Sequence, residues 1–512
     1  MTHQLAPIHT GQRLYKRLIS MRVIGKLMCS CLLGVAVYCQ ASESIILPEL
    51  GDRSAGLMSH QDEKALGQAW LKAFRGSVNL ESDPIIFEYL ENLLFRLASY
   101  SQLQEKKLHL VVVKSPSINA FAVPGGVIGV NSGLLLYAQT EGQLASVLSH
   151  ELAHLSQRHF SRSVEAAKNN SLTTLAGMLA GIALAIASEG DAAQAVIVGS
   201  QAAALDARLR YSRMHEKEAD RMGMKTLVAA GYSANSAAMM FKEMLNSLRL
   251  YGNKTPEFLL THPITESRIS DARNRAQQYN SPVSKLHLNY LLIKTRAFIL
   301  AQSSNKDSIK HFLSQLEKFS STPSIDTHTA DALYAEAARY GLAVAYERDQ
   351  QWRMARETLA PLLEKIPGKI TYSLLDIAID SGSGKTEISE NRLRDLNSLT
   401  PNNYAISMQL ARVLLSNNKP VDAQKVLTNL ALTRPAQADI WYELAETQGL
   451  AGDIKGLHRS RAEFYLLRGN FTKAKMHYRQ ALNLSQQDFQ QSAKIKQRLL
   501  LIKELEQQQK LL

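Results

Sequence analysis

Three prolines in the C-terminal half of the chain, Pro367, Pro401 and Pro435, are spaced 34 residues apart. Small or apolar residues recur at fixed distances before each of them, as Ala343, Ile377 and Ala411, then Ala355, Ser389 and Ala423, then Leu359, Leu393 and Leu427. This period is typical of tetratricopeptide repeats, in which small residues let two helices touch and the proline follows the second helix. The pattern therefore predicts an all-α solenoid over residues 331–512, preceded by a helical linker at 286–330.

Residues 1–41 have the composition of a secretory signal peptide. Basic residues precede an apolar run that ends at Tyr38, and all three cysteines of the chain lie in this segment. We expect cleavage after Ala41, and Met21 is a candidate for the true start because an unusually long basic stretch precedes the apolar run. An uncleaved anchor helix is the alternative, but the run is about twelve residues and a spanning helix needs about 20. The mature chain would hold no cysteine, which excludes a disulfide scaffold.

The formal net charge of the whole chain is +13, and removal of the leader lowers it to +8, with 54 basic and 46 acidic residues. These charges are scattered along predicted helices, so they indicate a solvated basic surface and no nucleic-acid groove. An exported basic protein can instead contact anionic envelope surfaces, and we expect at most a peripheral membrane contact.

Residues 42–285 alternate helical and strand patterns. Two helices are expected before the strand candidate "LHLVVVKS", and the glycines of "NAFAVPGGVIGVN" predict a β-hairpin. The alanine-rich stretch at 171–208 has two apolar arms of about 15 residues, each short against the ~20 of a membrane span. A buried helical hairpin is therefore preferred over one that dips into a membrane. The class predicted for this unit is α+β, mostly helical with a small sheet.

The segment "EGQLASVLSHELAHLSQRHF" predicts one long helix that carries His150, Glu151 and His154. Histidines four residues apart project from the same face of a helix, so both imidazoles can reach one zinc ion. Glu151 lies one position along, where a carboxylate can accept a proton from water that zinc has activated. A catalytic zinc needs a third protein ligand, so this pentapeptide alone is an incomplete site.

A second helix about sixty residues later, in "RMHEKEADRMG", carries candidates for that ligand. Glu216 and Asp220 share a helix face, so one can bind zinc while the other hydrogen-bonds a ligand histidine. Glu218 points away from this face, and His215 lies about 100° off it. A solvated charged helix is the alternative for such spacing, but the two elements together predict one zinc ion per chain.

These two segments, with "NAFAVPGG" upstream, resemble the gluzincin peptidases of the HtpX and CAAX prenyl-protease group. The resemblance implies a zincin-type metallopeptidase over residues 42–285. It also implies functions for individual residues, with zinc held by His150, His154 and Glu216, Glu151 as general base, and Asp220 at a second acidic position that is sometimes assigned a proton-donor role.

The leader and the repeats narrow the resemblance to exported members that work in the Gram-negative periplasm. Such members imply a periplasmic chain that associates with the outer membrane. Their implied partners are unfolded or misassembled outer-membrane β-barrel proteins, and the machinery that assembles those proteins, contacted through the repeats. A strand edge next to the site would hold an extended substrate through its backbone, and we expect this edge at Asn119, Ala120, Phe121, Ala122 and Val123.

The stretch "LLTHPITESRI" holds one further histidine, His262. It could be a surface or capping residue before a helix that begins near Pro263, with Thr261 or His262 as the cap. It could instead stabilise the transition state, with Arg268 holding nearby carboxylates such as Asp220. The third interpretation, which we favour, is that His262 occupies the fourth zinc position and keeps the enzyme latent.

Two classes of function follow. The first is a zinc metalloendopeptidase that degrades misassembled or stalled outer-membrane proteins and assists their assembly. The second is a chaperone-like repeat scaffold whose zinc site is latent or largely structural. An intact Glu151 favours the enzyme, because a structural zinc site has no use for a base.

Overall fold

The computed structural model describes residues 58–166, 202–250, 257–320 and 330–509. The predicted leader lies outside the described residues, and so does the predicted hairpin at 171–208 up to residue 201. Within the described part of the chain, no helix has both the length and the apolar character that crossing a membrane requires.

The elements of this part are mostly helices. The strands are β1 (His109–Val113), β2 (Ala120–Val123) and β3 (Val127–Asn131). The helices are α1 (His60–Ser77), α2 (Pro84–Ser99), α3 (Gly133–Tyr137), α4 (Glu141–Ser156), α5 (His159–Ala166), α6 (Ala202–Ala229), α7 (Asn235–Leu250), α8 (Glu257–Thr261), α9 (Glu266–Ala276), α10 (Leu288–Ala301), α11 (Asn305–Ser320), α12 (Ala330–Arg348), α13 (Trp352–Lys365), α14 (Ile370–Gly382), α15 (Thr386–Leu399), α16 (Tyr404–Ser416), α17 (Pro420–Thr433), α18 (Ala438–Leu450), α19 (Ile454–Leu467), α20 (Phe471–Asn483) and α21 (Phe489–Gln509).

The sheet has the strand order β1-β3-β2, with β1 parallel and β2 antiparallel to β3. The predicted hairpin is confirmed, and Gly125 and Gly126 form its turn with φ of 78° and 81°, a left-handed conformation that favours glycine. β2 lies at one edge of the sheet and packs against α4. The small sheet therefore positions the helix that carries His150 and His154.

Helix α2 provides much of the core beneath that sheet. The side chain of Asp83 caps its N-terminus by accepting hydrogen bonds from the backbone N–H groups of residues 85 and 86, and Pro84 occupies the first turn. The apolar residues at helical spacing along α2 are at most 2% exposed; they are Ile86, Leu90, Leu93 and Leu97. Burial of this face fixes α2 under α4, which it contacts directly.

The C-terminal helices form a regular series. Helices α13, α15, α17 and α19 each begin 34 residues after the previous one, at Trp352, Thr386, Pro420 and Ile454. Three of them end just before a proline of the sequence pattern. The small residues of that pattern are fully buried where consecutive helices meet, namely Ala355, Ser389 and Ala423.

The helical series packs directly on the N-terminal part. The rings of Phe87 in α2 and Tyr404 in α16 meet edge to face at 6.0 Å. Beside them, the Arg434 guanidinium lies 2.7 Å from a carboxylate oxygen of Glu91, and the Asn403 amide donates to Glu88 at 2.8 Å. One hydrophobic cluster runs through this contact, so α16 and α17 are fixed against α2.

Candidate metal centre

The helix with the two histidines is shorter than the sequence predicts. α4 begins at Glu141, where the Thr140 side chain accepts a hydrogen bond from the backbone of residue 143, and it ends at Ser156. Arg158 then takes φ of 51°, which stops the helix, and its guanidinium donates to Met58 O at 2.7 Å. The prediction of one helix continuing to Phe160 is therefore wrong, and α5 begins in a new direction at His159.

Helix α6 crosses α4 with close backbone contact at Gly223. A Cβ atom at this position would lie 3.0 Å from the backbone nitrogen of His150, which is too tight for most side chains. The glycine lets the two helices approach, so Glu216, about two turns earlier on α6, reaches the histidines. The structure thus brings together the two motifs that the sequence separates by about sixty residues.

The ligand candidates are mutually within reach of one ion. The Nε2 atoms of His150 and His154 are 3.0 Å apart, and each lies 3.4 Å from a carboxylate oxygen of Glu216. A tetrahedral zinc ion with bonds of about 2.0–2.1 Å separates its ligand atoms by roughly 3.3 Å. The donor set, two imidazoles and a carboxylate, and its spacing therefore fit zinc.

His262 joins this group, which contradicts the alternative that it is a surface or capping residue. Helix α9 begins at Glu266, and Thr265 is its cap. His262 is 8% exposed and lies between α8 and α9. Its Nδ1 is 2.9 Å from Glu216 Oε1 and 3.5 Å from His150 Nε2, and one ligand atom from each of the four residues lies within 4.8 Å of the others.

Asp220 and Arg268 lie behind His150. Asp220 Oδ1 is 3.0 Å from His150 Nδ1, and the Arg268 guanidinium binds both Asp220 oxygens, at 2.7 and 2.8 Å. Arg268 Nη1 also lies 3.0 Å from Glu216. The structure therefore supports the predicted pairing of Arg268 with Asp220, and it places Asp220 where it can orient a ligand histidine.

The two carboxyl groups next to the histidines are held in their ionised form. Burial alone would raise the pKa of Asp220 and of Glu216, but hydrogen bonds from the histidines and the charge of Arg268 or His262 hold both pKa values below their ordinary range. Burial lowers the pKa of His154 to about 4, which keeps it neutral. At His150, hydrogen bonds with the two carboxylates outweigh burial and raise the pKa to about 10, so a metal ion would displace a proton there.

Glu151 is the most unusual side chain of the site. It is 1% exposed, and neither of its carboxylate oxygens has a hydrogen-bond partner among the described residues. Burial raises the pKa of this carboxyl group. A buried carboxylate without a hydrogen bond is costly for a fold, whereas a raised pKa suits a group that accepts a proton during a reaction.

The predicted substrate strand is an edge strand whose side chains are mostly buried. Ala120 and Val123 are fully buried, and Phe121 packs edge to face on Trp70 and Phe74, with ring centroids 5.8 and 5.4 Å away. Asn119, just before the strand, is 3% exposed. A second polypeptide could therefore meet only the backbone of this edge and the half-buried Ala122.

One residue in contact with the ligands was missed by the sequence analysis. Nδ1 of His159, at the start of α5, lies 2.9 Å from Nδ1 of His154, and Nε2 of His159 lies 3.2 Å from Glu218. Glu218 is not among the four metal-facing residues of the described chain, as its helix position predicts. It nevertheless reaches the site through His159.

Comparison with known proteins agrees with this site. The model of peptidase family M48 matches residues 84–276. A beta-barrel assembly-enhancing protease of Escherichia coli O157:H7 is 30% identical over 458 residues, which cover 90% of this chain and 91% of the relative. A putative beta-barrel assembly-enhancing protease of Vibrio cholerae is 31% identical over 461 residues, or 90% and 92%. The mitochondrial metalloendopeptidase OMA1 of Bos taurus is 31% identical over 212 residues, 38% of each chain.

The M48 match and the metalloendopeptidase relatives define a zinc metallopeptidase. The relatives from Escherichia coli and Vibrio cholerae, which align over nine-tenths of this chain, narrow this class to one family. The chain belongs to the beta-barrel assembly-enhancing protease family.

Proposed function

We propose that this chain is a latent periplasmic zinc metalloendopeptidase that degrades misassembled or stalled outer-membrane β-barrel proteins and assists their assembly. The observation that carries this proposal is the convergence of His150, His154, Glu216 and His262 within 4.8 Å, next to the buried Glu151. The names of the relatives link them to β-barrel assembly, which supports the proposed substrates.

In this proposal His150, His154 and Glu216 hold the zinc ion. When bound, zinc supplies a Lewis acid that polarises the scissile carbonyl and activates the attacking water. Glu151 accepts the proton of that water and passes it to the leaving amide nitrogen. Asp220 accepts a hydrogen bond from His150 Nδ1 and so fixes the ring, a position that favours orientation of a ligand over proton donation.

We propose His262 as the group that keeps the enzyme latent. Its Nδ1 faces the three ligands, while its Nε2 lies 3.6 Å from Glu151 Oε1. The single imidazole of His262 would thereby occupy the fourth ligand position and also cover the general base Glu151. A substrate would enter along the outer edge of β2, where backbone hydrogen bonding suits unfolded chains of many sequences.

The C-terminal helices are proposed to be tetratricopeptide repeats that contact the assembly machinery. The 34-residue spacing of α13, α15, α17 and α19 supports this assignment. The signal peptide at 1–41, the peptidase domain at 42–285, the linker at 286–330 and the repeats at 331–512 remain predictions. So does peripheral association with the outer membrane.

The chaperone-like scaffold is the competing function, and Glu151→Gln separates the two. If the enzyme is correct, this variant retains one zinc per chain while cleavage of an unfolded protein such as casein falls by about 10²–10⁴-fold. Glu105→Gln, at an exposed ion pair with Lys64, is the matched control and keeps both properties. Undiminished cleavage by zinc-loaded Glu151→Gln would refute the assignment.

His262→Ala tests latency in the same assay. Removal of a group that blocks the site raises the cleavage rate at unchanged zinc content. A fall in the rate would instead assign His262 to stabilisation of the transition state.

A further inference from the structure

A line of polar side chains continues from His154 on the side away from the proposed metal. The Nδ1 atoms of His154 and His159 are 2.9 Å apart, and His159 Nε2 lies 3.2 Å from Glu218 Oε2. The guanidinium of Arg162 holds the same Glu218 oxygen at 2.9 Å. His159 is 3% exposed, whereas the side chains of Glu218 and Arg162 are 25% and 32% exposed, so the line leads from the buried site toward the surface.

Hydrogen bonding along this line has one consistent arrangement once His154 binds a metal through Nε2. A neutral imidazole carries a single N–H, which for His154 must then be at Nδ1. Because two nitrogens 2.9 Å apart share one hydrogen, Nδ1 of His159 has to accept it. The N–H of His159 is therefore at Nε2, where it donates to the carboxylate of Glu218.

The ring of His159 is held in this orientation by its neighbours. The ring of His215, which is 4% exposed, stacks on it with centroids 4.2 Å apart and planes 9° from parallel. Arg158, with its positive φ, separates α5 from α4, and the two helices contact each other. The contact between His154 and His159 thus follows from the backbone and from packing.

We propose that His159 is a positioning residue that links the Glu218 carboxylate by hydrogen bonds to the metal ligand His154. Asp220 does the same for His150 in one step, with Arg268 behind it, as Arg162 lies behind Glu218. Partners of this kind fix the tautomer and orientation of a ligand and raise its basicity. The inference rests on the proposed function, since it requires a metal on Nε2 of His154.

The test compares the zinc affinity of full-length variants by competition with a chromophoric chelator. His159→Phe keeps a ring to stack on His215 but removes the acceptor, and we expect zinc to bind about 10–100-fold more weakly. His159→Asn places an amide oxygen near the position of Nδ1, so it should recover most of the affinity. Glu218→Gln should give a smaller loss, and the exposed control Glu105→Gln none.

Two further measurements separate the outcomes. Thermal melting of the zinc-free proteins measures how much each substitution destabilises the fold. We expect the order of the variants by zinc affinity to differ from their order by melting temperature. Wild-type affinity in His159→Phe, or equal losses in His159→Phe and His159→Asn, would overturn the positioning role. If His154→Ala binds zinc as tightly as the wild type, the proposed metal site itself is wrong and this inference falls with it.

Discussion

Removal of the Arg268 guanidinium tests how the site is held together in the absence of metal. This side chain is 4% exposed and contacts both Asp220 oxygens at 2.7–2.8 Å, Glu216 at 3.0 Å and the carbonyl of Pro263 at 2.8 Å. Arg268→Met keeps an aliphatic chain against the Phe241 ring, which the guanidinium carbon approaches to 5.0 Å from the ring centroid. The substitution therefore deletes charge and hydrogen bonds while it largely preserves packing.

The expected cost is large because two buried carboxylates lose one of the two counter-ions that they share and keep only the other, His150. Removing one partner of a buried ion pair costs about 3–5 kcal/mol, and the lost hydrogen bond to the Pro263 carbonyl adds about 1 kcal/mol. We therefore expect Arg268→Met to lower the free energy of unfolding of the zinc-free protein by about 4–6 kcal/mol.

Urea denaturation in the presence of a chelator measures this cost. If the cost arises from the unpaired carboxylate, Asp220→Leu should relieve part of it, with a coupling energy of about 2–3 kcal/mol between the two substitutions. The matched control is Arg353→Met, which breaks an exposed pair with Glu357 whose side chains are 78% and 56% exposed. Its effect should stay within about 0.5 kcal/mol. A cost below about 1 kcal/mol for Arg268→Met, or strictly additive effects with Asp220→Leu, would refute the reasoning.

Three further predictions concern the surrounding fold. Phe121→Ala removes a ring that is 7% exposed and contacts two other aromatic rings. The free energy of unfolding, measured by urea denaturation, should fall by about 3–5 kcal/mol. A loss under about 1 kcal/mol would contradict this packing. Burial would raise the pKa of Glu390, but hydrogen bonds from Lys419 and other donors lower it to about 2. The stabilisation from ionised Glu390 is fully present above about pH 4.5 and is lost as the pH falls through about 2. Glu390→Gln should therefore cost about 1 kcal/mol at pH 7, a value discounted for the half-exposed Lys419, and most of this cost should be gone at pH 2. Arg434→Met breaks the pair with Glu91, both 21% exposed, and should cost about 1–2 kcal/mol, whereas an unchanged urea midpoint would mean that this contact does not hold the helical series on α2.

Helical spacing predicted the part of the site that lies on regular helices. His150 and His154 share a face, and Glu216 and Asp220 share another, because each pair is four residues apart on one helix. The pairing of Arg268 with Asp220 also agrees with the structure. The position of His262 could not follow from periodicity, because it lies between two helices and reaches Glu216 only through the tertiary fold.

The contact of His159 with His154 could not be predicted from helical spacing. Five residues along a continuous helix correspond to about 140°, so the predicted long helix turns His159 away from the face of His154. In the structure the helix stops, and the positive φ of Arg158 redirects the chain. Arg158 is neither glycine nor asparagine, the usual residues in this conformation, so nothing in the sequence indicated the break.

The four metal-facing residues differ in how firmly the fold holds them. His150 and His154 lie on α4 and Glu216 on α6, two long helices that pack against each other, whereas His262 follows the five-residue helix α8. Its backbone is attached by one hydrogen bond from His262 N–H to Phe258 O, and the next residue by one from Arg268 to the Pro263 carbonyl. If His262 keeps the enzyme latent as proposed, displacement of this one residue would uncover the other three metal-facing residues and Glu151 while α4 and α6 stay in place. Arg268 binds the Pro263 carbonyl and Asp220 at once, so movement of the segment would also reach the orienting pair behind His150.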